Sequence, residues 1–373
     1  MIFLDHAATS FQKPPSVPLA VQQAMRTAAS PGRGSYGAAL RAAEIAFRCR
    51  ERAAALFEVS DPERVVLTSS ATHGLNIAIR SLVKPGSRVL VTGYEHNAVT
   101  RTLEGIGGVK IRIAEGSLFQ PDELLANWKR LLPSVDAAVC CHVSNVFGYI
   151  LPLEEMAAAC HGYHVPLIVD AAQSAGTVPI HFDSLGAAYL AMPGHKGLFG
   201  PQGTGLLLCG KDEKPEPLVF GGTGSASLLQ EMPDFLPDRL EAGTQNIPGF
   251  AGLYAGMGYV MEQGTQRILR HEQTLCAHCA RRLSALPKVQ VYAAQRPELQ
   301  TGVLSFVIPG LDVEEAGERL GAQGIAVRCG FHCAPYAHRS AGTLETGTIR
   351  AGFSPFNTLK EGEALTKAVA ALL

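Results

Sequence analysis

The chain has 373 residues, and 32 Lys and Arg residues nearly balance 33 Asp and Glu residues, giving a net charge of −1 at pH 7. This balance offers no electrostatic basis for binding nucleic acid or an anionic membrane, and an apolar content of 47% excludes a disordered chain. No stretch approaches the length of about 18 apolar residues that spans a membrane, the N-terminus lacks a signal-peptide pattern, and the nine cysteines are scattered. We therefore expect a soluble, reduced, cytoplasmic protein.

Residues 40–210 alternate short apolar runs with helical patterns. Amphipathic segments at 38–56, 72–83 and 153–163 predict helices. Six aliphatic or β-branched runs bounded by turn residues predict buried strands, at 64–68, 88–92, 137–142, 166–170, 188–192 and 205–209. Because strands alternate with helices, the pattern predicts an α/β fold with a mostly parallel sheet.

The pattern changes after this region. Residues 211–250 are rich in Pro and Gly, which predicts irregular structure. A long helical pattern follows over about 249–286, with an interruption near Gly264. Beyond it we expect strands at 302–308 and 324–328 and helices at about 313–322 and 359–372. This tail predicts a second, smaller α+β domain.

Polar residues follow five of the predicted strands. They are the turn Ser69–Gly74, His96 with Asn97, Ser144 with Asn145, Asp170 with Gln173, and the turn Gly194–Gly197, which contains His195 and Lys196. Each has an ordinary structural alternative, such as a helix cap for Asp170, a turn for Asn145 or a solvated face for Lys196. Because ligands bind beyond the carboxyl ends of the strands in open α/β sheets, five such groups together favour a binding site.

These residue types suit one kind of cofactor. A helix beginning near Ser70 offers free N–H groups that can hold a phosphate. Lys196, in a glycine-flanked turn, can form a Schiff base with a bound aldehyde. Asp170, at a neighbouring strand end, can keep a pyridine nitrogen protonated. Phosphate, aldehyde and pyridine together describe pyridoxal 5'-phosphate (PLP).

Seven motifs, in order along nearly the whole chain, resemble class V aminotransferase-fold enzymes. They are LDHAATS, TSSATHGLN, HVSNVFG, DAAQSAG, GHKGLFGPQGTG, RLEAGTQN and RCGFHCAP. The nearest match is the SufS-like cysteine desulfurase and selenocysteine lyase branch. The resemblance implies an aspartate aminotransferase-like fold. Residues 15–255 would form the large PLP-binding domain, and residues 1–14 with 256–373 a small α+β domain carrying a catalytic cysteine loop.

The resemblance also implies roles at the cofactor. Lys196 would bind PLP covalently, Asp170 would pair with its pyridine nitrogen, and Gln173 would contact its phenolic oxygen. His96 would stack on the ring and assist proton transfer. The phosphate would be held by Ala71, Thr72, His195 and, from a partner subunit, Thr244.

At the substrate, the resemblance implies that Asn145 and Arg350, with Arg328, hold the carboxylate, which suits the planar fork of arginine. Cys333 would accept sulfur as a persulfide. Only a thiolate is a competent nucleophile, and Arg328 and His332 are candidates for lowering the pKa of this thiol.

The implied activity is PLP-dependent desulfuration of L-cysteine to L-alanine by a homodimer with shared active sites, serving a sulfur or selenium acceptor protein. Alternatives are a selenocysteine lyase acting on L-selenocysteine, another PLP β-lyase or transaminase of the same fold, and a sulfur carrier without turnover. The cysteine of HCAP argues against the other lyases and transaminases, because those reactions need no protein thiol. Neither a metal, nor nucleic acid, nor a membrane is implied.

The chain departs from the family pattern at several positions. Pro193 stands where many relatives have a hydroxyl residue, and Phe331 stands where many have a second His. Cys329 is either a resolving partner of Cys333 or, as we favour, a packing residue. Arg33 lies either near the active site or on a surface turn.

Two further groups have less specific patterns. Cys276 and Cys279 form a C-x-x-C within a helical pattern, where packing is favoured. Cys329, His332, Cys333 and His338 fit no zinc-finger spacing.

Overall fold

The computed structural model describes residues 1–31 and 34–373. Its strands are β1 (Ile2–Phe3), β2 (Val65–Thr68), β3 (Arg88–Thr92), β4 (Lys110–Ala114), β5 (Ala137–Cys141), β6 (Leu167–Asp170), β7 (Tyr189–Pro193), β8 (Gly205–Cys209), β9 (Gln290–Tyr292), β10 (Val303–Val307), β11 (Ile325–Ala326), β12 (Arg328–Gly330) and β13 (Thr348–Gly352). Its α-helices are α1 (Ser16–Thr27), α2 (Gly37–Phe57), α3 (Ala71–Leu82), α4 (Asn97–Ile106), α5 (Pro121–Leu131), α6 (Leu153–Gly162), α7 (Phe182–Leu185), α8 (Ile247–Gln263), α9 (Thr265–Ser284), α10 (Val313–Ala322), α11 (Pro335–Ser340) and α12 (Leu359–Ala370). Over these described residues, no helix combines the length and apolar character needed to cross a membrane.

The larger sheet has seven strands in the order β2-β8-β7-β6-β5-β3-β4. Only β8 runs antiparallel to its neighbours, which confirms the prediction of a mostly parallel sheet. Helices α3 and α4 contribute to the apolar core on one face, and α2, α5, α6 and α8 contribute to the core on the other. The central strands β5, β6 and β7 are buried along their whole length, which explains their almost continuous apolar sequence.

The predicted strands of this sheet agree with the structure to within one residue at each end. The strand that sequence reasoning missed is β4, at the edge of the sheet. Its sequence, KIRIA, alternates exposed cations with half-buried isoleucines, since an edge strand covered on only part of its surface carries no continuous apolar run.

A second sheet, antiparallel with the order β12-β13-β10-β9, lies in the C-terminal part of the chain. Its core includes residues of α9, α10 and α12 and also Leu4 from the N-terminus, while β1 pairs with β11. The interruption predicted near Gly264 separates α8 from α9. The predicted boundary at 255/256 falls inside α8, and the division into two domains stays a prediction.

Candidate active site

Five loops meet at one edge of the seven-stranded sheet, because parallel strands end at the same edge. They follow β2, β3, β5, β6 and β7 and line a cavity of about 200 Å³, which Pro193 also borders. The predicted site residues that line this cavity are Ala71, Thr72, His96, Asn145, Asp170, Gln173, His195 and Lys196.

The first of these loops leads into helix α3. Ser70 is its N-cap, and the Ser70 hydroxyl accepts a hydrogen bond from the His73 N–H at 3.1 Å. The N–H groups of Ala71 and Thr72 have no acceptor within the helix, as in any first helical turn. Together with the helix dipole, these free donors make the α3 N-terminus suited to an anionic group.

Lys196 lies in the turn after β7 and is partly buried. This turn packs tightly against the turn after β6: Gly176, with a φ of 88°, faces the Gly197 carbonyl group and leaves no room for a Cβ atom. Burial lowers the pKa of Lys196 to about 8, although the Asp170 carboxylate opposes the shift. Lys196 is therefore an amine that loses its proton far more readily than an ordinary lysine.

Asp170 ends β6, and Gln173 follows it within the same loop. Asp170 is buried, and its Oδ1 accepts a hydrogen bond from the Ala172 N–H at 2.9 Å. Burial raises the pKa of Asp170, while this hydrogen bond and Lys196 favour the carboxylate. Gln173 Nε2 donates to the Ala7 carbonyl oxygen at 2.9 Å. An acid and an amide thus border the same cavity as the lysine.

His96 is the N-cap of helix α4, and its Nδ1 accepts a hydrogen bond from the Ala98 N–H at 3.0 Å. Because Nδ1 accepts, the proton of the neutral ring lies on Nε2. Burial, together with the charges of Lys196 and Arg350, lowers the pKa of His96 to about 4. At neutral pH, His96 is therefore an uncharged ring whose Nε2–H is a donor, not a base.

Cys333 is exposed and lies in the loop between β12 and α11. His332 and Cys333 have φ values of 49° and 56°, in the left-handed region that residues other than glycine rarely adopt. Two hydrogen bonds of 2.8 Å hold this loop at the cavity: Asn145 Nδ2 donates to the His332 carbonyl oxygen, and the Asn97 N–H donates to that of Cys333.

His332 is buried, and its Nε2 lies 3.1 Å from the Thr348 carbonyl oxygen. Burial, with the charge of Arg350, lowers the pKa of His332 to about 2. The ring is therefore neutral, so His332 does not place a positive charge beside Cys333.

Arg350 lies on β13 directly opposite Arg328 on β12. Its guanidinium is buried, with Nη1 donating to the Asn145 carbonyl oxygen at 2.8 Å and Nη2 donating to Asp5 Oδ1 at 3.0 Å. Nε is buried and has no hydrogen-bond partner among the described residues. Neither arginine lines the cavity itself, but both lie close enough for their charge to lower the pKa of His96.

Other predicted residues lie away from the cavity. Thr244 borders a separate groove of about 580 Å³, and its contribution from a partner subunit stays a prediction. Arg33 lies outside the described residues. The sulfur of Cys329 packs against Gly317 of α10, and burial raises the pKa of this thiol to about 11, which supports packing over a role in sulfur relay.

The C-x-x-C of α9 is also packed. Cys276 Sγ lies 3.9 Å from the Val303 carbonyl oxygen, and the Cys279 sulfur lies against Gly362. Burial raises the pKa of Cys279 to about 12, so neither a thiolate nor a redox role is favoured. Within residues 1–31 and 34–373, no group of three or more His, Cys, Asp or Glu side chains is arranged to hold a metal ion.

The sequence placed residues 1–14 in the small domain and predicted no site residue among them, although the LDHAATS motif was part of the resemblance. Thr9 Oγ1 lies 2.9 Å from His195 Nδ1, and Lys13 Nζ donates to Ser10 Oγ at 2.6 Å. Both Ser10 and Lys13 also bond the His195 carbonyl oxygen. The segment thus packs on the turn that carries Lys196.

Comparisons with known proteins extend over the whole chain. The profile of the aminotransferase class-V family matches residues 2–365. A probable cysteine desulfurase of Methanothermobacter thermautotrophicus is 31% identical, over 98% of this chain and 92% of its own length. The apo structure of a cysteine desulfurase from Thermococcus onnurineus NA1 has a TM-score of 0.91 and 30% identity, covering 100% of this chain and 94% of that one. The cysteine desulfurase CsdA (S-sulfonic acid) from Escherichia coli has a TM-score of 0.86 and 26% identity, covering 99% and 94%. These similarities confirm the predicted fold class.

Proposed function

Since the chain belongs to the aminotransferase class-V family, we propose that it is a PLP-dependent cysteine desulfurase that converts L-cysteine to L-alanine and takes the sulfur onto Cys333. One observation carries the proposal. A cavity bordered by Lys196, Asp170 and His96 lies beside an exposed cysteine whose loop is hydrogen-bonded to the cavity rim.

The residues of the cavity fit PLP chemically. The free N–H groups of Ala71 and Thr72 would hold the phosphate, and the Lys196 amine would hold the aldehyde carbon. Asp170 would hold the pyridine nitrogen in its protonated form. When bound, PLP supplies an electron sink for negative charge that develops at the substrate Cα.

Lys196 serves this reaction through its proton affinity. With its pKa lowered to about 8, the amine exchanges a proton near neutral pH. It can therefore take the Cα proton of the substrate and return a proton later, as general acid–base catalysis requires of a group with a pKa near the operating pH. His96, whose Nδ1 accepts a hydrogen bond from the Ala98 N–H and whose pKa is lowered to about 4, carries its proton on Nε2 and does not compete with Lys196 as a base.

Cys333 performs the sulfur transfer. Its thiolate attacks Sγ of the substrate, so that a sulfur–sulfur bond forms while the Cβ–Sγ bond of the substrate breaks. The electron pair of the broken bond stays with carbon, and Cβ takes up a proton to give alanine. The buried guanidinium of Arg350 binds the substrate carboxylate and so fixes which substrate atom faces Cys333.

The direct experiment measures alanine formed from L-cysteine by wild type and by Cys333→Ala, with the visible spectrum recorded for both. We expect Cys333→Ala to keep the absorbance of bound PLP and to lose alanine formation by at least about 100-fold, because no other described cysteine is exposed. Cys329→Ala is the matched control, since this neighbouring thiol is packed on α10, and it should retain activity.

Cysteine turnover that survives in Cys333→Ala would contradict the persulfide mechanism. Turnover confined to L-selenocysteine and insensitive to the substitution would instead identify a selenocysteine lyase, which releases an atom that leaves carbon more easily. A PLP-containing protein inert on both substrates would refute the proposed substrate.

The same proposal includes a homodimer in which Thr244 of one chain reaches the phosphate site of the other. What supports it is the position of Thr244 in an open groove away from the cavity of its own chain. Sedimentation of the purified protein tests the dimer, and a monomer with full activity would refute it.

A further inference from the structure

Residues 5–13, which we call the N-terminal strap, contact the site at three places. Asp5 pairs with Arg350, the Ala7 carbonyl oxygen accepts a hydrogen bond from Gln173, and Thr9, Ser10 and Lys13 bond His195. Asp5 and Arg350 are separated by 345 positions in the chain, yet their side chains are only 20% and 3% exposed. Such a pair, mostly removed from water, holds its geometry far better than an exposed ion pair does.

The hydrogen bonds of Arg350 show which part of its guanidinium is left available. Nη1 donates to the Asn145 carbonyl oxygen at 2.8 Å, and Nη2 donates to Asp5 Oδ1 at 3.0 Å. Nε is buried and lacks a partner among the described residues. Leaving a buried charged donor unsatisfied is costly, so this edge suits an anionic ligand that arrives from outside the chain.

We propose that Asp5 is a positioning residue for substrate binding, which orients the guanidinium of Arg350 so that its Nε edge receives the carboxylate of the amino acid. The inference rests on the proposed function in one respect, the assignment of the substrate carboxylate to Arg350. Asp5 does not touch the substrate.

The backbone gives Asp5 the rigidity that this role needs. Its carbonyl oxygen accepts a hydrogen bond from the Ala8 N–H at 3.0 Å, and Asp5 forms a parallel bridge with Gly352, two residues beyond Arg350 on β13. The carboxylate is therefore fixed to the same strand that carries the arginine. Without it, Nη2 would lose the one side-chain partner it has among the described residues, and the bond from Nη1 to the Asn145 carbonyl oxygen alone would orient the guanidinium.

The charge balance agrees with this arrangement. Arg350 and Arg328 lie opposite each other on neighbouring strands, and two cations so close repel each other. Asp5 offsets one positive charge in the free protein. A bound carboxylate adds a second negative charge, which balances the second arginine.

The test uses the PLP-loaded enzyme and two probes that differ only by a carboxylate, L-alanine and ethylamine. Their affinities are read from the change in visible absorption on titration, which needs no turnover. We expect Asp5→Ala to weaken L-alanine binding about tenfold and to leave ethylamine binding unchanged, because only L-alanine has a carboxylate for Arg350 to bind. Asp5→Asn keeps an acceptor oxygen at the same place and should stay within about threefold of wild type.

Asp136→Ala is the matched control, since it breaks an Asp–Arg pair with Arg88 in which both side chains are nearly half exposed. It should change neither affinity. In an Arg350→Ala background, Asp5→Ala should have no further effect on L-alanine, as expected of a residue that acts through the arginine.

Three outcomes would overturn the inference: wild-type affinity for L-alanine in Asp5→Ala, equal losses for L-alanine and ethylamine, or no preference of the wild type for the carboxylate-bearing probe. Selective loss of L-alanine binding in an enzyme that forms no alanine from L-cysteine would support the inference while refuting the proposed function.

Discussion

The lowered pKa of Lys196 makes a quantitative prediction for the cofactor-free protein. The pKa of about 8 is the net result of opposing effects: burial lowers it most, the Asp170 carboxylate opposes burial, the cations Arg350 and Arg328 add to the lowering, and Asp5 weakly opposes them. An ordinary lysine has a pKa of about 10.4. Raising the pH through 8 should therefore convert Lys196 to its reactive neutral form well before exposed lysines change.

The size of the effect follows from the two pKa values. At pH 7, an amine with a pKa of about 8 is neutral in about one molecule in eleven, whereas one with a pKa of about 10.4 is neutral in about one in 2,500. The neutral fraction thus differs by about 200-fold. Between pH 8 and 10.4, the unfolded chain binds more protons at this position than the folded protein does. The free energy of unfolding therefore rises with pH through that window, as the cost of burying a charged Lys196 disappears.

The assay is reductive methylation of the cofactor-free protein with limiting formaldehyde at pH 6.5 to 10.5, followed by mass spectrometry of the peptide containing Lys196. A lysine model peptide in the same solution provides the reference. Relative to the peptide, we expect the rate at Lys196 to be constant below about pH 8 and to fall above it, because Lys196 is then already neutral while the peptide amine is still losing its proton. Asp170→Asn should move this midpoint to lower pH, because it removes the charge that favours the ammonium. A midpoint near 10, or a shift of the opposite sign in Asp170→Asn, would refute the reasoning.

Two stability predictions follow from polar side-chain contacts of helices α2 and α3. Arg50 and Glu241 form a bidentate pair with distances of 2.6 and 2.7 Å. Arg50→Ala should lower the free energy of unfolding by about 3 to 5 kcal/mol, because it leaves a buried carboxylate without its cation. Urea unfolding measures this loss, with Glu241→Gln as the comparison, and a loss below about 1 kcal/mol would contradict the prediction. Ser70→Ala removes the N-cap hydroxyl of α3 and should lower the free energy of unfolding by about 1 kcal/mol in the same assay. Ser70→Thr keeps the hydroxyl and should lower it by less. Equal losses in both variants would mean that the hydroxyl cap contributes nothing to stability.

The sequence by itself determined the large sheet and the position of the candidate site. The apolar runs that became β2, β3, β5, β6, β7 and β8 are local patterns, and a parallel sheet must collect the residues that follow its strands at one edge. This is why Lys196, Asp170 and His96 could be placed together without coordinates. The residue types at this edge predicted PLP, and the motifs added the predicted role of Cys333 by resemblance.

Only the tertiary structure could show the properties that depend on segments far apart in the chain. The edge strand β4 and the arginine-bearing strand β13 have no continuous local signal, and the pairing of Asp5 with Arg350 joins opposite ends of the sequence. The protonation states also depended on burial. The sequence suggested that His332 could act as a cation beside Cys333, yet burial in its packed loop keeps the ring neutral. Composition and spacing describe which groups are present, whereas desolvation and three-dimensional contact decide which of them carry charge and which atoms remain free to bind a substrate.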